Sequence, residues 1–405
     1  MQIPLLKKTS YNKLINITFV MYAFVIPLSR AGIVLFSISM ILFWVLEGDF
    51  KRKLIQIKNN NFLSIGLIFL IYIFLTAMWS ENIMDVLEHF KRTWYYLVML
   101  VIFTSVKKEF TEKAIIAFLA AILISVLISY GMSMELIVNK HGTSEDPTPF
   151  MNHLEYSLLL AIASLISLKK ALSNSNKKIK TAYSIFFILI TIDLFITQGR
   201  IGQLAFIISL FIFIIIHNKH KILAVLLTLI LTSTLLFTLY FTSSSFNTRM
   251  TTSINAVKDM TNKQYNTSLG VRLVAWIATI HTLKEHPLTG VGIGDLSKTF
   301  QTFASQNKLL IPQHINTMAH SLHSDVLQIA MGGGIIALLL FFLALYHLLI
   351  LKLHDNNFND YKYILLSIFL VAQLGDTFFR LQFTENLFIL FAGIILVASN
   401  SSIKK

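Results

Sequence analysis

The chain has 405 residues, of which 55% are hydrophobic and only 13% charged, with 34 Lys and Arg against 20 Asp and Glu. Soluble domains carry roughly 25% charged residues, so a soluble globular fold is excluded and a polytopic membrane protein is implied. The absence of cysteine excludes disulfides, thiolate metal sites and thiol chemistry, and leaves the compartment open.

The N-terminus places Lys7, Lys8 and Lys13 before an apolar run, as a signal sequence does. No small-x-small cleavage site follows, and a second apolar run comes at once, so the first run is expected to stay as a helix. A spanning helix needs roughly 17–25 apolar residues. Such runs are expected near 14–29, 31–47, 61–80, 94–106, 114–135, 154–168, 181–197, 201–217, 222–242, 326–350, 363–379 and 385–399. The expected fold is therefore all-α and membrane-embedded, with about 12 transmembrane helices. Residues 1–242 hold the first nine and residues 326–405 the last three. Between them, residues 243–325 form one long polar stretch, expected as a helical loop domain outside the membrane.

Charge orients this arrangement, because Lys and Arg of short loops accumulate on the cytoplasmic side. With the N-terminus inside, the inside segments hold 21 of the 34 basic residues and the short outside segments hold six: Arg30, Lys91, Arg92, Lys140, Arg200 and Arg380. The remaining seven lie in the long stretch. Both termini are thus expected in the cytoplasm and the long stretch outside. The inside set is twenty lysines and one arginine, whereas the outside set is seven lysines and six arginines. Lysine suffices for topology and for contact with membrane lipids; arginine forks bind phosphate bidentately. The outside arginines therefore suggest an anionic ligand at the outer surface, with snorkelling to headgroups as the plainer alternative. No nucleic-acid partner is expected.

Three patches could carry chemistry. The turn Thr197-Gln198-Gly199-Arg200 has Arg200 as its one charge, and Asp193 lies two turns back. Either the two form a structural pair, or Arg200 stands at the mouth of a phosphate-holding cavity. Arg272 falls near the start of an amphipathic helix running through His281 and Glu285, followed by Gly290-Val291-Gly292-Ile293-Gly294-Asp295. That glycine run lacks a nucleotide motif's spacing and preceding strand, and reads as a chain reversal. His320-Ser321-Leu322-His323-Ser324-Asp325 leads into the tenth expected helix. Histidine suits proton transfer near neutral pH; Asp295 or Asp376 could orient the imidazole. His320 and His323 share a helix face with His314 nearby, but no further metal pattern supports a site, and no metal is assigned. Arg249 is a further outside cation in the long stretch. Lys91 and Arg92 follow Glu81, Asp85 and Glu88, which could merely neutralise them. Asp376 and Arg380, four apart near the end of the eleventh expected helix, suggest a salt bridge.

These residues carry a resemblance. Twelve expected helices, a large outside loop between the ninth and tenth, and His323-Ser324 followed after nine residues by Gly334 resemble the O-antigen ligase family of the O-antigen ligase/polymerase superfamily. The resemblance spans the whole chain in architecture and three short patches in sequence. It implies His323 as the essential histidine, Arg200 and Arg272 as the essential loop arginines, and Lys91 or Arg92 as the basic position of the second outside segment. Arg249 and His320 would contact substrate.

What the resemblance implies about activity is equally specific. A glycan on undecaprenyl diphosphate would pass to a sugar hydroxyl of lipid A–core at the periplasmic face of a bacterial inner membrane, by an inverting reaction without metal or cofactor. His323 would be general base, and the arginines would hold the diphosphate. Alternatives in the superfamily are a polymerase extending the glycan and a protein O-oligosaccharyltransferase. A remoter one is a polysaccharide exporter, which would show charges buried at mid-membrane and pseudo-symmetric halves.

Overall fold

The computed structural model describes residues 8–91, 93–217, 267–307, 322–353 and 355–400, with isolated positions between 221 and 265. Every regular element among them is helical. The first part of the chain forms α1 (Lys8–Val25), α2 (Arg30–Glu47), the short α3 (Phe50–Lys58), α4 (Asn61–Leu75), the short α5 (Ile83–Phe90), α6 (Tyr96–Ser105) and α7 (Glu109–Ser133). Then come α8 (His153–Ser173), α9 (Lys177–Ile196) and α10 (Arg200–His217). After the polar stretch begins, α11 (Ser268–Glu285) and α12 (Leu296–Gln306) precede α13 (Asp325–Leu349), α14 (Asn356–Ala372) and α15 (Gln382–Asn400).

Polar residues mark where the apolar runs begin. The side chains of Ser29, Asn60, Asn152 and Ser324 each accept a hydrogen bond from a backbone N–H three residues on, capping α2, α4, α8 and α13. Among the described residues, eight helices are long and apolar enough to cross a membrane: α2, α4 with its extension to Trp79, α7, α8, α9, α10, α13 and α15. This is fewer than the twelve expected. α1 is diluted by Lys8, Asn12, Lys13 and Asn16, and α14 has 17 residues. α6 has ten, giving a rod of about 15 Å, half a hydrocarbon core. The run expected at 222–242 lies largely outside the described residues.

The centre of the bundle is α15, buried along almost its whole length, with α8 nearly as deep. Gly393 lets α6 lie close: a Cβ there would come within 2.7 Å of Ile102. Phe391 meets Phe118 of α7 edge-on at 5.3 Å, and Phe388 meets Phe369 of α14 at 5.1 Å. Several buried charges are paired, which offsets the cost of burying them. Lys53 of α3 binds Glu47 at 2.8 Å, and Asp360 of α14 takes Lys169 of α8 at 2.7 Å and His217 of α10 at 2.8 Å. A second, smaller core joins Val274 and Ala278 of α11, Phe300 of α12 and Ile293 to Ile73 of α4 and Met331 of α13.

This smaller core packs on both sides of a break in α13. Gly334 has φ 66° and ψ −163°, a conformation open essentially to glycine alone. A helix interrupted there loses backbone hydrogen bonds, and in apolar surroundings each orphaned group costs several kcal/mol, on the order of those in hydrocarbon. The glycine stretch that looked like a plain reversal supplies the missing partners. Val291 N and Gly292 N donate to Met331 O and Gly332 O, both at 2.9 Å. Ile335 N and Ile336 N donate to Pro287 O at 2.9 Å and Leu288 O at 3.3 Å. Tyr72 of α4 donates its hydroxyl to Gly333 O at 3.0 Å. The strap itself is pinned directly after α4 by Thr76 Oγ1 and Ser80 Oγ, which accept from Ile293 N and Gly294 N. Contact is backbone to backbone, so side chains are excluded: a Cβ on Gly290 would lie 2.4 Å from Met331 O, and one on Gly334 2.3 Å from Leu288 O.

Gly334→Ala is expected to cost about 3 kcal/mol or more, from backbone strain and the clash with the strap. Gly66→Ala, on α4 where a Cβ meets nothing within 4 Å, should be neutral or slightly stabilising. Thermal unfolding of the two variants in detergent micelles checks the contrast; equal midpoints would show that the break is not a constraint.

Candidate active site

His323 sits at the point where the smaller core runs into α13. Leu322 is buried beneath it, and Ser324 caps α13 by accepting from Leu327 N at 3.3 Å. Between these anchors His323 takes a left-handed backbone, φ 50°, uncommon for a residue with a side chain and found at sites where the surroundings impose it. Its Nδ1 is shielded from solvent, and the side chain keeps 34% of its surface accessible.

The carboxylate facing Nδ1 belongs to Asp376, whose Oδ2 is 3.7 Å away, an ion-pair rather than a hydrogen-bond distance. Asp295 does something else: its two oxygens accept from Glu81 N at 2.9 Å and Asn82 N at 3.2 Å, tying the glycine strap to the start of α5. The expected Asp376–Arg380 salt bridge is not formed on a helix, because α14 ends at Ala372. The turn that follows packs Gly375 against Ile201, where a Cβ would sit 2.5 Å from its Cδ1. This turns Asp376 toward His323 and sends Arg380 Nη1 to Gln328 Oε1 at 3.0 Å. Asp325, on α13, accepts from Phe379 N at 3.1 Å and so holds the far side of the same turn.

Arg272, on the first turns of α11, lies within electrostatic reach of both Asp376 and Arg200. Burial pulls its guanidinium pKa down, Asp376 pushes it back up, and the like charge of Arg200 adds to the lowering. Its Nε is buried without a hydrogen-bond partner. Burial likewise raises the Asp376 carboxyl, but the His323 imidazole, the Thr377 N–H at 2.8 Å and the charge of Arg272 outweigh it and hold the group below its ordinary value. Arg200 opens α10, directly after the Gly199 turn. Asp193, a possible partner for Arg200, is occupied otherwise: its Oδ1 lies 2.5 Å from Ser129 Oγ, and its Oδ2 accepts from Tyr156 OH at 2.7 Å. Arg272 is thus within electrostatic reach of Arg200 and Asp376, and Asp376 faces His323, four groups drawn from four separate parts of the chain.

The other expected contacts are less central. Lys91 is exposed at the end of α5 and pairs with Glu88 at 3.2 Å. Arg92, Arg249, His314 and His320 lie outside the described residues. The sequence did not suggest a cavity of about 210 Å³ running beside α4, α6 and α13. Its long walls are apolar, with Phe62, Leu67 and Leu70 of α4, Met99 of α6 and Leu345 of α13. At one end it reaches Gln328 and Arg380, on the turn that also carries Asp376.

Residues 185–342 match the family model described as O-antigen ligase. Over this segment, which is less than half of the chain, the sequence is similar to that family. The match starts within α9 and ends within α13, so Arg200, Arg272, the glycine strap and His323 all fall inside it. Asp376 and the cavity walls on α4 and α6 lie beyond the matched O-antigen ligase segment. No curated protein matches the chain. The apolar helices of the bundle accord with a membrane protein, as expected of a chain similar to that family over the matched segment.

The paired charges make a prediction about stability. Asp376→Ala leaves the partly buried Arg272 next to Arg200 with its counter-charge removed, a change expected to cost about 2 kcal/mol. On an Arg272→Ala background the same substitution should cost less, with a coupling of about 1 kcal/mol. A double-mutant cycle followed by thermal unfolding measures it, and additive losses would show that the two side chains do not interact.

Proposed function

We propose that this protein transfers a glycan from undecaprenyl diphosphate to a sugar hydroxyl of lipid A–core at the periplasmic face of the bacterial inner membrane. The observation that carries the reading is the meeting of Arg200 and Arg272 beside His323 and Asp376. Two neighbouring guanidiniums repel each other unless an anion lies between them, and a diphosphate offers oxygens enough for both forks. The cavity beside α4 suits one apolar chain entering from the bilayer, with its polar end toward the turn that bears Asp376.

In this scheme the acceptor hydroxyl gives its proton to His323 as its oxygen attacks the anomeric carbon. The bond from that carbon to the diphosphate oxygen breaks on the opposite face, with inversion. Undecaprenyl diphosphate departs carrying the electron pair, and Arg200 and Arg272 stabilise the charge that grows on it. Asp376, placed 3.7 Å from Nδ1, stabilises the imidazolium that forms, as a buried carboxylate does beside a catalytic histidine. Lys91 or Arg92, Arg249 and His320 complete the substrate contacts. Twelve spans, cytoplasmic termini and a periplasmic domain over residues 243–325 belong to the same reading.

The test is a reconstituted transfer assay using purified lipid-linked glycan and three acceptors: lipid A–core, peptide and a second donor molecule. Transfer to lipid A–core is expected; exclusive use of either other acceptor would reassign the chain to protein glycosylation or polymerisation. His323→Ala should lower kcat by at least about 100-fold. Arg200→Lys and Arg272→Lys, which keep charge and lose the fork, should lower kcat/KM by about tenfold or more. Full activity of His323→Ala would remove the general-base role.

A further inference from the structure

Arg200 owes its direction to a turn that is held from several sides. Gly199 lies on the N-terminus of α8 so closely that a Cβ would be 2.2 Å from Ser157 Cβ and 2.6 Å from His153 O. Gln203 Nε2 donates to Leu194 O at 3.1 Å and Thr197 O at 3.0 Å, bracing the turn from α10. Below it, Thr197 N donates to the backbone carbonyl of Asp193, whose side chain is itself locked by Ser129 and Tyr156. The backbone N–H directly before Gly199-Arg200, that of Gln198, donates to Asp146 Oδ1 at 2.8 Å.

Asp146 comes from the connection between α7 and α8, far from any matched motif. Its Oδ2 lies 3.0 Å from His153 Nδ1, which fixes the plane of the carboxylate. The connection is braced internally as well. Asp146 O accepts from Thr143 N at 3.1 Å and Thr148 N at 2.9 Å, Pro149 O accepts from Asn139 Nδ2 at 2.6 Å, and Pro147 O lies 2.7 Å from Ser129 Oγ, whose one proton goes either to it or to Asp193 Oδ1. Ser129 thus joins the Asp146 segment to Asp193 and so to the Arg200 turn through a single hydroxyl. A carboxylate delivered on a braced loop, oriented by an imidazole and spent on one amide of the arginine turn, sets a direction rather than fills space.

We infer that Asp146 is a positioning residue for the lipid-diphosphate donor: through the Gln198 N–H, with His153 orienting it, it sets the geometry in which Arg200 meets the diphosphate. This rests on the reading of Arg200 as a diphosphate ligand. A hydrogen bond from an amide to a carboxylate is a strong one, and its loss near a ligand-binding group corresponds to about a tenfold change in affinity.

The experiment uses the full chain in nanodiscs with undecaprenyl diphosphate as probe. Dissociation constants are measured for wild type, Asp146→Ala, Asp146→Asn, Arg200→Ala and the Asp146→Ala/Arg200→Ala double variant. Hydrogen exchange is followed over the peptide containing Gln198 to Arg200. Asp146→Ala should weaken binding about tenfold and speed exchange there, with the unfolding midpoint little changed. Asp146→Asn, which keeps an acceptor oxygen for Gln198 N–H, should bind within about threefold of wild type. On the Arg200→Ala background, Asp146→Ala should have no further effect. Unchanged exchange in Asp146→Ala, or the same loss of affinity with and without Arg200, overturns the inference. If wild type and Arg200→Ala bind the probe equally, the diphosphate reading fails instead, and the exchange data still decide whether Asp146 holds the turn.

Discussion

A broken helix must have its severed backbone groups satisfied, and the rest of this structure follows from how that is done in α13. In the interior of a membrane bundle no bulk water is at hand, so partners must come from the protein. Here the stretch from Pro287 to Gly294 lies along the break and replaces the lost helix bonds one by one. The exchange requires backbone-to-backbone contact, which explains glycine on both sides of it: Gly290 and Gly292 in the strap, Gly334 in the helix. Since the strap is also fastened to Thr76 and Ser80, directly after α4, the segment outside the apolar runs and the bundle share one rigid joint. α11 enters that joint from one side and α13 leaves it on the other, so Arg272 and His323 are held relative to each other by main chain, not by loops alone.

Electrostatics around that joint are unbalanced in a useful way. Arg272 lies within electrostatic reach of both Asp376 and Arg200, and the same carboxylate also serves the imidazole. A like-charged pair in a partly buried place is costly without an anion, and ligand binding is a natural means of relieving it. The Asp376 carboxylate is shared between Arg272 and His323. Fixed donors of this kind act best when they need not reorganise as charge develops.

Much of this could be read from the residues, and some could not. The beginnings of α10 and α13 fall within a residue of the expected runs because the Gly199 turn and the Ser324 cap stand immediately before the apolar sequence. The end of α14 was misplaced because Leu374, Phe378 and Phe379 continue the apolar pattern beyond Ala372, while the chain has already turned at Gly375. That error hid the partnership of Asp376 with His323 behind an apparent helix-face pair with Arg380. Arg200, Arg272 and His323 were legible as a group through the family resemblance. Asp146 carries no motif at all, since its role exists only once the α7–α8 connection is folded onto Gln198. The glycine strap was legible as a turn and not as a partner, because its hydrogen bonds run to a helix remote in sequence.

The connection between α14 and α15 touches two compartments of the molecule. At Asp376 it looks toward the imidazole, and at Phe379 and Arg380 it looks into the apolar cavity, with Asp325 clasping it between the two. It therefore works as a fixed ruler. The offset between the carboxylate that meets the imidazole and the side chains that line the cavity is written into the five residues from Asp376 to Arg380, and an insertion or deletion among them would shift both together.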